Sequence, residues 1–343
     1  MKLIKIFFSI LLCLFTFSSC QKNIEFNEEI SKPMVVIHSI LSPDSVVSAH
    51  VSLSRFFLND TVSFQDVNNA DVTVIVNGVL KEKMGLITNG QYQGTYRPAI
   101  GDMVKLVVNV PSMNEVSSQT SFCNPTVINY VDTTRIIQTT NYILLSNGDT
   151  CALEKIFKIN YILKFTDNGN EKNYYRLIVQ KKLHFFEFIW GKPIEKIIDL
   201  YNFEFNDNVI GNNPNANTVT STITGKNTNT NSSNKYNVFS DDLFNGKTYS
   251  LSFNADYLLY KRYPKYSLDS GNTINSGGAA EKIEVFISLQ NISKDYYYYL
   301  KSRSASSGND FFSEPVQIKN NIVGGIGFFG SYTSSNIVKF DLK

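Results

Sequence analysis

From Pro33 onward the chain reads as strands. Met34 to Leu41 is an apolar run, and Val47, Ala49, Val51 and Leu53 then alternate with polar neighbours. Val72, Val74 and Val76 repeat the pattern, and Asn77-Gly78 follows before Val79 resumes it. Asn-Gly between apolar runs predicts a tight hairpin, because both central residues must take positive φ. Gly90-Gln91-Tyr92 opens another short strand, and Gly101-Asp102 turns the chain into Val104, Leu106, Val108 and Val110. Short strands punctuated by turn residues every 8–12 positions are the signature of a sandwich. Residues 33–122 are therefore expected to form an immunoglobulin-like or fibronectin-like domain, although they lack the Cys…Trp…Cys spacing of true immunoglobulin domains.

Cys123-Asn124-Pro125 marks a boundary, since proline stops a central strand. Beyond it the alternation is longer and stricter. Ile159, Tyr161, Leu163 and Phe165 lead to the turn Asp167-Asn168-Gly169-Asn170, and Tyr175, Leu177 and Val179 follow. Tyr249, Leu251, Phe253, Ala255, Tyr257 and Leu259 form the cleanest run of all, and Ile283, Val285, Ile287 and Leu289 form another. Such alternation predicts antiparallel sheet with one face on a core. A single stretch breaks the pattern: Ser293 is placed to cap a short helix carrying Tyr296, Tyr299, Leu300 and Arg303. The fold class expected is all-β: the N-terminal sandwich, then a larger antiparallel β domain over 123–343 with at most one or two short helices. Within it, residues 206–235 are dominated by Asn and Thr and hold too few apolar residues to pack. They read as a tolerated insertion, with a contact-making flap as the less favoured alternative.

The first residues carry a different signal. Lys2 and Lys5 precede the apolar run Ile6 to Phe17, and Phe17-Ser18-Ser19-Cys20 follows. A basic start, a short apolar stretch and small residues are the marks of a secretory signal. The run is too short for a membrane-spanning helix, which needs about 20 residues. A cysteine directly after the small residues makes residues 1–19 a lipoprotein signal peptide. It makes Cys20 the expected acylation site, joined to the fold by a polar stalk over 20–32. Acyl chains on Cys20 would tether the chain to a membrane, and more than one chain makes the anchor stable. Gln21, Lys22 and the acids Glu25, Glu28 and Glu29 loosely resemble the export signal of surface lipoproteins of Bacteroidota.

Charge and rare residues narrow the classes. The formal charge is +2, and removing Lys2 and Lys5 brings it to zero, so nothing electrostatic points to nucleic acid. Of four cysteines, Cys13 leaves with the signal and Cys20 is acylated, which leaves Cys123 and Cys151. These form a candidate disulfide in an oxidising compartment, or stay as two unpaired thiols. His38, His50 and His184 are the only histidines and none has metal-ligand spacing, although His38 and His50 fall in neighbouring predicted strands. Asp241-Asp242 sits in a turn without a calcium-loop pattern. Gly325 to Gly330 spells G-x-G-x-x-G, but no βαβ unit surrounds it, and close backbone contact in a strand explains it better than a nucleotide. There is no G-x-S-x-G elbow, and although a carboxylate pair for glycoside cleavage needs only spatial proximity, nothing singles one out, so no catalytic residue, cofactor or metal is expected. The aromatics remain: Tyr296 to Tyr299, mostly expected in the core, and Trp190 beside Gly191-Lys192-Pro193, a candidate contact residue in a loop.

Several stretches together resemble a known family. They are Phe239-Ser240-Asp241-Asp242-Leu243-Phe244-Asn245-Gly246-Lys247, Tyr297 to Ser302, and Phe311-Phe312-Ser313-Glu314-Pro315-Val316 leading to Asn320-Asn321-Ile322-Val323-Gly324-Gly325-Ile326-Gly327. With the early Val35-Val36 strand and Leu53-Ser54-Arg55, they resemble domain-of-unknown-function family 4249 (DUF4249), lipoproteins of Bacteroidota, over essentially the whole mature chain. The resemblance implies a lipid-anchored location at the outer membrane, with the cell surface as one orientation. It also implies an accessory role, as ligand capture or barrel partner, beside a TonB-dependent receptor. It brings no catalytic residues. The alternative function is an adhesive or structural surface protein that binds a protein or glycan, and a surface hydrolase comes last.

Overall fold

A computed structural model describes residues 32–55, 65–144, 150–189, 192–199, 204–205, 207, 234–262, 282–306 and 317–342. The expected all-β class holds: the described residues form strands throughout, with one helix. The first half holds β1 (Val35–Leu41), β2 (Ser48–Leu53), β3 (Gln65–Asp66), β4 (Asp71–Val76), β5 (Val79–Lys83), β6 (Gly85–Thr88), β7 (Gln91–Gln93), β8 (Met103–Asn109) and β9 (Val116–Ser121); β1, β2, β4, β5, β7 and β8 fall on the runs read from the sequence, and β3, β6 and β9 had no such signal. Asn77 and Gly78 make the β4–β5 turn with φ of 51° and 82°, the positive values that the Asn-Gly pair predicts.

One face of β5-β4-β8-β9 packs on one face of β1, β2 and β7. Alternate residues supply the core: Val35, Ile37 and Leu41 from β1, Val72, Val74 and Val76 from β4, and Val104, Leu106 and Val108 from β8 are all buried. The second core lies between β10 (Ile128–Leu144), β11 (Thr150–Thr166), β14 (Glu204–Phe205) and β16 (Thr248–Arg262) on one side, and β12 (Tyr174–Ile189), β13 (Lys192–Asp199), β15 (Val238–Ser240), β17 (Lys282–Ile292) and β19 (Val338–Leu342) on the other. Tyr161 stacks on Phe253 with ring centroids 4.9 Å apart, and the hydroxyls of Tyr161 and Tyr257 share a 2.7 Å hydrogen bond, so these phenols are buried with their polar ends satisfied.

The two halves do not simply follow one another. The segment from Asn320 returns to the first sandwich, and β18 (Ile326–Ser334) pairs in parallel with β1, Ile37 opposite Gly327. At its other end β18 pairs antiparallel with β17. One sheet therefore runs through both sandwiches in the order β13-β12-β17-β18-β1-β2-β7-β6. Phe329 faces the first core, while Ser331 Oγ donates to the Ser121 carbonyl at 2.6 Å. Asn321 pins the return: its side-chain oxygen accepts from Phe329 N at 3.0 Å, and its amide donates to the Phe329 carbonyl at 2.6 Å.

The glycines of 325–330 serve this junction. A Cβ on Gly327, whose φ is +122°, would lie 2.1 Å from the Ile37 carbonyl oxygen, and one on Gly325 would lie 2.6 Å from that of Val35. Only glycine allows such an approach. The nucleotide-like spelling is a strand pressed against its neighbour.

The predicted helix is α1 (Lys294–Ser306). Ser293 precedes it, and its carbonyl accepts from Tyr297 N at 3.0 Å. Its hydroxyl, expected to cap the helix, instead accepts from Ser331 N at 3.2 Å and ties the helix start to β18. Tyr296, Tyr297, Tyr299 and Leu300 pack down onto Phe328, Tyr174 and Ile292, covering the outer face of the through-sheet. No helix among the described residues is long and apolar enough to cross a membrane.

Candidate functional site

Where the cover of α1 stops, a cavity of about 410 Å³ opens between the helix and the outer face of β1 and β2. That size suits a small ligand. Its floor is a lateral row of residues set by register. Gln91 on β7 pairs with His50 on β2, His50 with His38 on β1, and His38 with Phe328 on β18. Period-two alternation puts all four on one face, opposite the valines of the core. The walls come from the other half of the chain: Tyr296, Tyr299 and Arg303 from α1, Tyr236 from the segment before β15, and Arg176 from β12.

The aromatic walls are well fixed. Phe328 stacks on Tyr299 with centroids 4.2 Å apart and lies 5.1 Å from the Tyr296 ring. The Arg303 guanidinium sits 5.7 Å from the centroids of both Tyr236 and Tyr299, held by π faces. Its Nη1 reaches the Tyr299 hydroxyl at 3.4 Å. Arg176 Nη1 donates to the Tyr296 hydroxyl at 3.1 Å, and Arg176 Nε is buried with no hydrogen-bond partner. Among the described residues, neither arginine has a carboxylate partner, and no Asp or Glu lines the cavity.

The two histidines differ. His50 Nε2 lies 2.9 Å from Asp66 Oδ1 and packs against Gly90, where any Cβ would stand 2.9 Å from the same nitrogen. His38 is solvent-exposed, yet it stands in a concavity. Partial desolvation lowers its pKa most, and the charges of His50 and Arg303 lower it further. Burial and the neighbouring positive charges thus favour the neutral form of His38.

The other residues singled out in the sequence fall elsewhere. Cys20, Trp190 and nearly all of the 206–235 segment lie outside the described residues. The candidate disulfide is not formed within the chain. Cys123 is a free, partly buried thiol, its pKa pushed up to about 11 by burial and then by the charge of Glu171. Cys151 lies at the far end of β11, whose Phe165 pairs with Ile128. Fourteen strand residues separate Cys151 from Phe165 by about 45 Å, and the five residues from Cys123 to Ile128 reach at most about 18 Å.

Asp241 accepts from Asn173 N at 2.7 Å and pairs with Lys172 at 2.9 Å. Asp167 accepts from the Tyr175 hydroxyl and from Gly246 N. These buried acids lock loops. Among the described residues no group of three His, Cys, Asp or Glu is placed to hold a metal.

Sequence reasoning noted His38 opposite His50 but missed the arginines. The only trace of Arg176 was its position between Tyr175 and Leu177, on the outward face of a strand. Arg303 was a charged residue one helical turn past Tyr299, a spacing that also describes any solvated helix face.

Among curated proteins none matches the chain. A family model does, over residues 21–337, described as Domain of unknown function (DUF4249). The match spans the returning strand β18, every residue of the cavity and both sandwiches apart from β19, and the chain belongs to this family.

Proposed function

We propose that the protein is a non-catalytic, lipid-anchored outer-membrane protein that captures a ligand beside a TonB-dependent transporter. The observation that carries the capture reading is the cavity above His38 and Phe328. It is lined by stacked aromatics and by arginine donors that no carboxylate of the lining neutralises. Stacked aromatics and unneutralised guanidinium groups suit the holding of a small charged ligand. The leader 1–19 before Cys20 supports the tether, and the receptor-side role that the family resemblance implies supports the partner. The buried acids Asp167 and Asp241 are committed to loop closure, which favours binding over hydrolysis.

The test is isolation of the tagged, full-length chain from native membranes in mild detergent, with co-purifying chains identified by mass spectrometry. A transporter barrel in near-stoichiometric amount is the expected result. Recovery of the chain alone contradicts the transporter partnership and moves the reading to a free-standing surface binder.

A further inference from the structure

The cavity joins parts of the chain that are far apart in sequence, and the charged ones share a sign. Arg176 comes from β12 and Arg303 from α1, and both face a floor that carries His38 and His50. Salt bridges elsewhere in the described residues are plentiful: Glu284 alone contacts His184, Lys282 and Lys339. Against that background, two arginines without a carboxylate in one concavity are a built feature. The Arg176 guanidinium is fixed at the cavity wall by the Tyr296 hydroxyl, to which its Nη1 donates at 3.1 Å. The Arg303 guanidinium is oriented by Tyr236 and Tyr299, so its fork is set before any ligand arrives.

We propose that this cavity takes a small oxyanion-bearing molecule with a flat ring, a carboxylate or phosphate held by Arg176 and Arg303 and the ring laid against Phe328 and Tyr299. Guanidinium forks match both oxyanions through paired N–H donors. The Tyr299–Phe328 stack gives a planar body an apolar wall, and about 410 Å³ accommodates one ring with its charged group. The Gln91 side chain on the floor adds a neutral donor and acceptor for orientation. This deepens the capture reading above and rests on it.

The experiment titrates the full-length chain in mild detergent at pH 7 by calorimetry. The probes are phenyl phosphate, benzoate, inorganic phosphate and the neutral benzamide. Expected is binding of at least one ring anion, with benzamide weaker by about tenfold or more. R303Q, at an exposed position, is expected to weaken that anion by about tenfold or more while leaving the thermal transition unchanged. R176Q is expected to do the same, and a fold-intact reading on R303Q suffices if R176Q is unstable. Preference for phenyl phosphate over benzoate assigns the phosphate class, and the reverse assigns the carboxylate class. Benzamide binding that equals the anions and ignores R303Q overturns the anionic ligand but leaves capture standing. Failure of every probe overturns the proposal, and the barrel isolation then decides separately whether the transporter partnership survives.

Discussion

Replacing Gly327 with alanine tests the junction that holds the cavity together. The new Cβ would stand 2.1 Å from the Ile37 carbonyl oxygen and 2.9 Å from both the Ile37 carbon and nitrogen. These are backbone atoms of the paired strand, so no side chain can swing aside. Relief requires β18 to move away from β1 by about 1 Å, which stretches ladder bonds of about 2.9 Å past the hydrogen-bonding range. Losing roughly two or three such bonds at about 1 kcal/mol each, with about 1–3 kcal/mol of strain at positive φ, places G327A about 3–6 kcal/mol below the parent. Gly78→Ala is the control: its φ of +82° is equally disfavoured, but a Cβ there meets nothing within 4 Å. It should cost only about 1–2 kcal/mol. Urea unfolding of the full-length chain, followed by intrinsic fluorescence, reads both. Because β18 joins the two cores, G327A should also separate their unfolding into two transitions. A G327A protein within 0.5 kcal/mol of G78A, a threshold of about the usual uncertainty, would refute the close-packed junction.

Two further outcomes follow from buried and charged groups. The Glu284 carboxyl is held well below its ordinary pKa, first by Lys339, then by His184 and Lys282. A depressed carboxylate stabilises above its unfolded pKa, so this contribution is complete above the ordinary value near 4.5 and is lost as pH falls through the depressed one. Urea midpoints should decline below pH 4.5, and E284Q should flatten that decline. An unchanged slope in E284Q contradicts the cluster. Burial also predicts slow alkylation of Cys123 by iodoacetamide at pH 8 in the native chain and fast alkylation in urea, because the thiolate is the nucleophile. Equal rates in the two states, or a Cys123–Cys151 peptide in a non-reducing digest, would contradict the described thiol.

Most of the β character was legible because each strand buries one face, and alternation records that directly. The Asn77-Gly78 turn was legible for a different reason, since its backbone geometry restricts residue type. The β1–β18 pairing was not. Parallel partners nearly 300 residues apart leave no local trace, and Gly325 and Gly327 announce a close approach without saying to what. The cavity was hidden by the same crossing. His38 and His50 are antiparallel neighbours joined by a short connection, so their meeting could be read from the chain. Arg176 and Arg303 reach the same space only after β18 has brought the second sandwich alongside the first. The candidate disulfide illustrates the converse. Two leftover cysteines suggested a pair by elimination, but the length of β11 keeps their backbones apart.

The proposed role requires a chain that is exported, cleaved and tethered through Cys20. The most direct measurement is the intact mass of the protein isolated from its own membranes. The account predicts a chain beginning at Cys20 and carrying the added mass of a diacylglyceryl group with acylation of the new amine. A chain retaining Met1 to Ser19, or one beginning at Cys20 with an unmodified thiol, would contradict it.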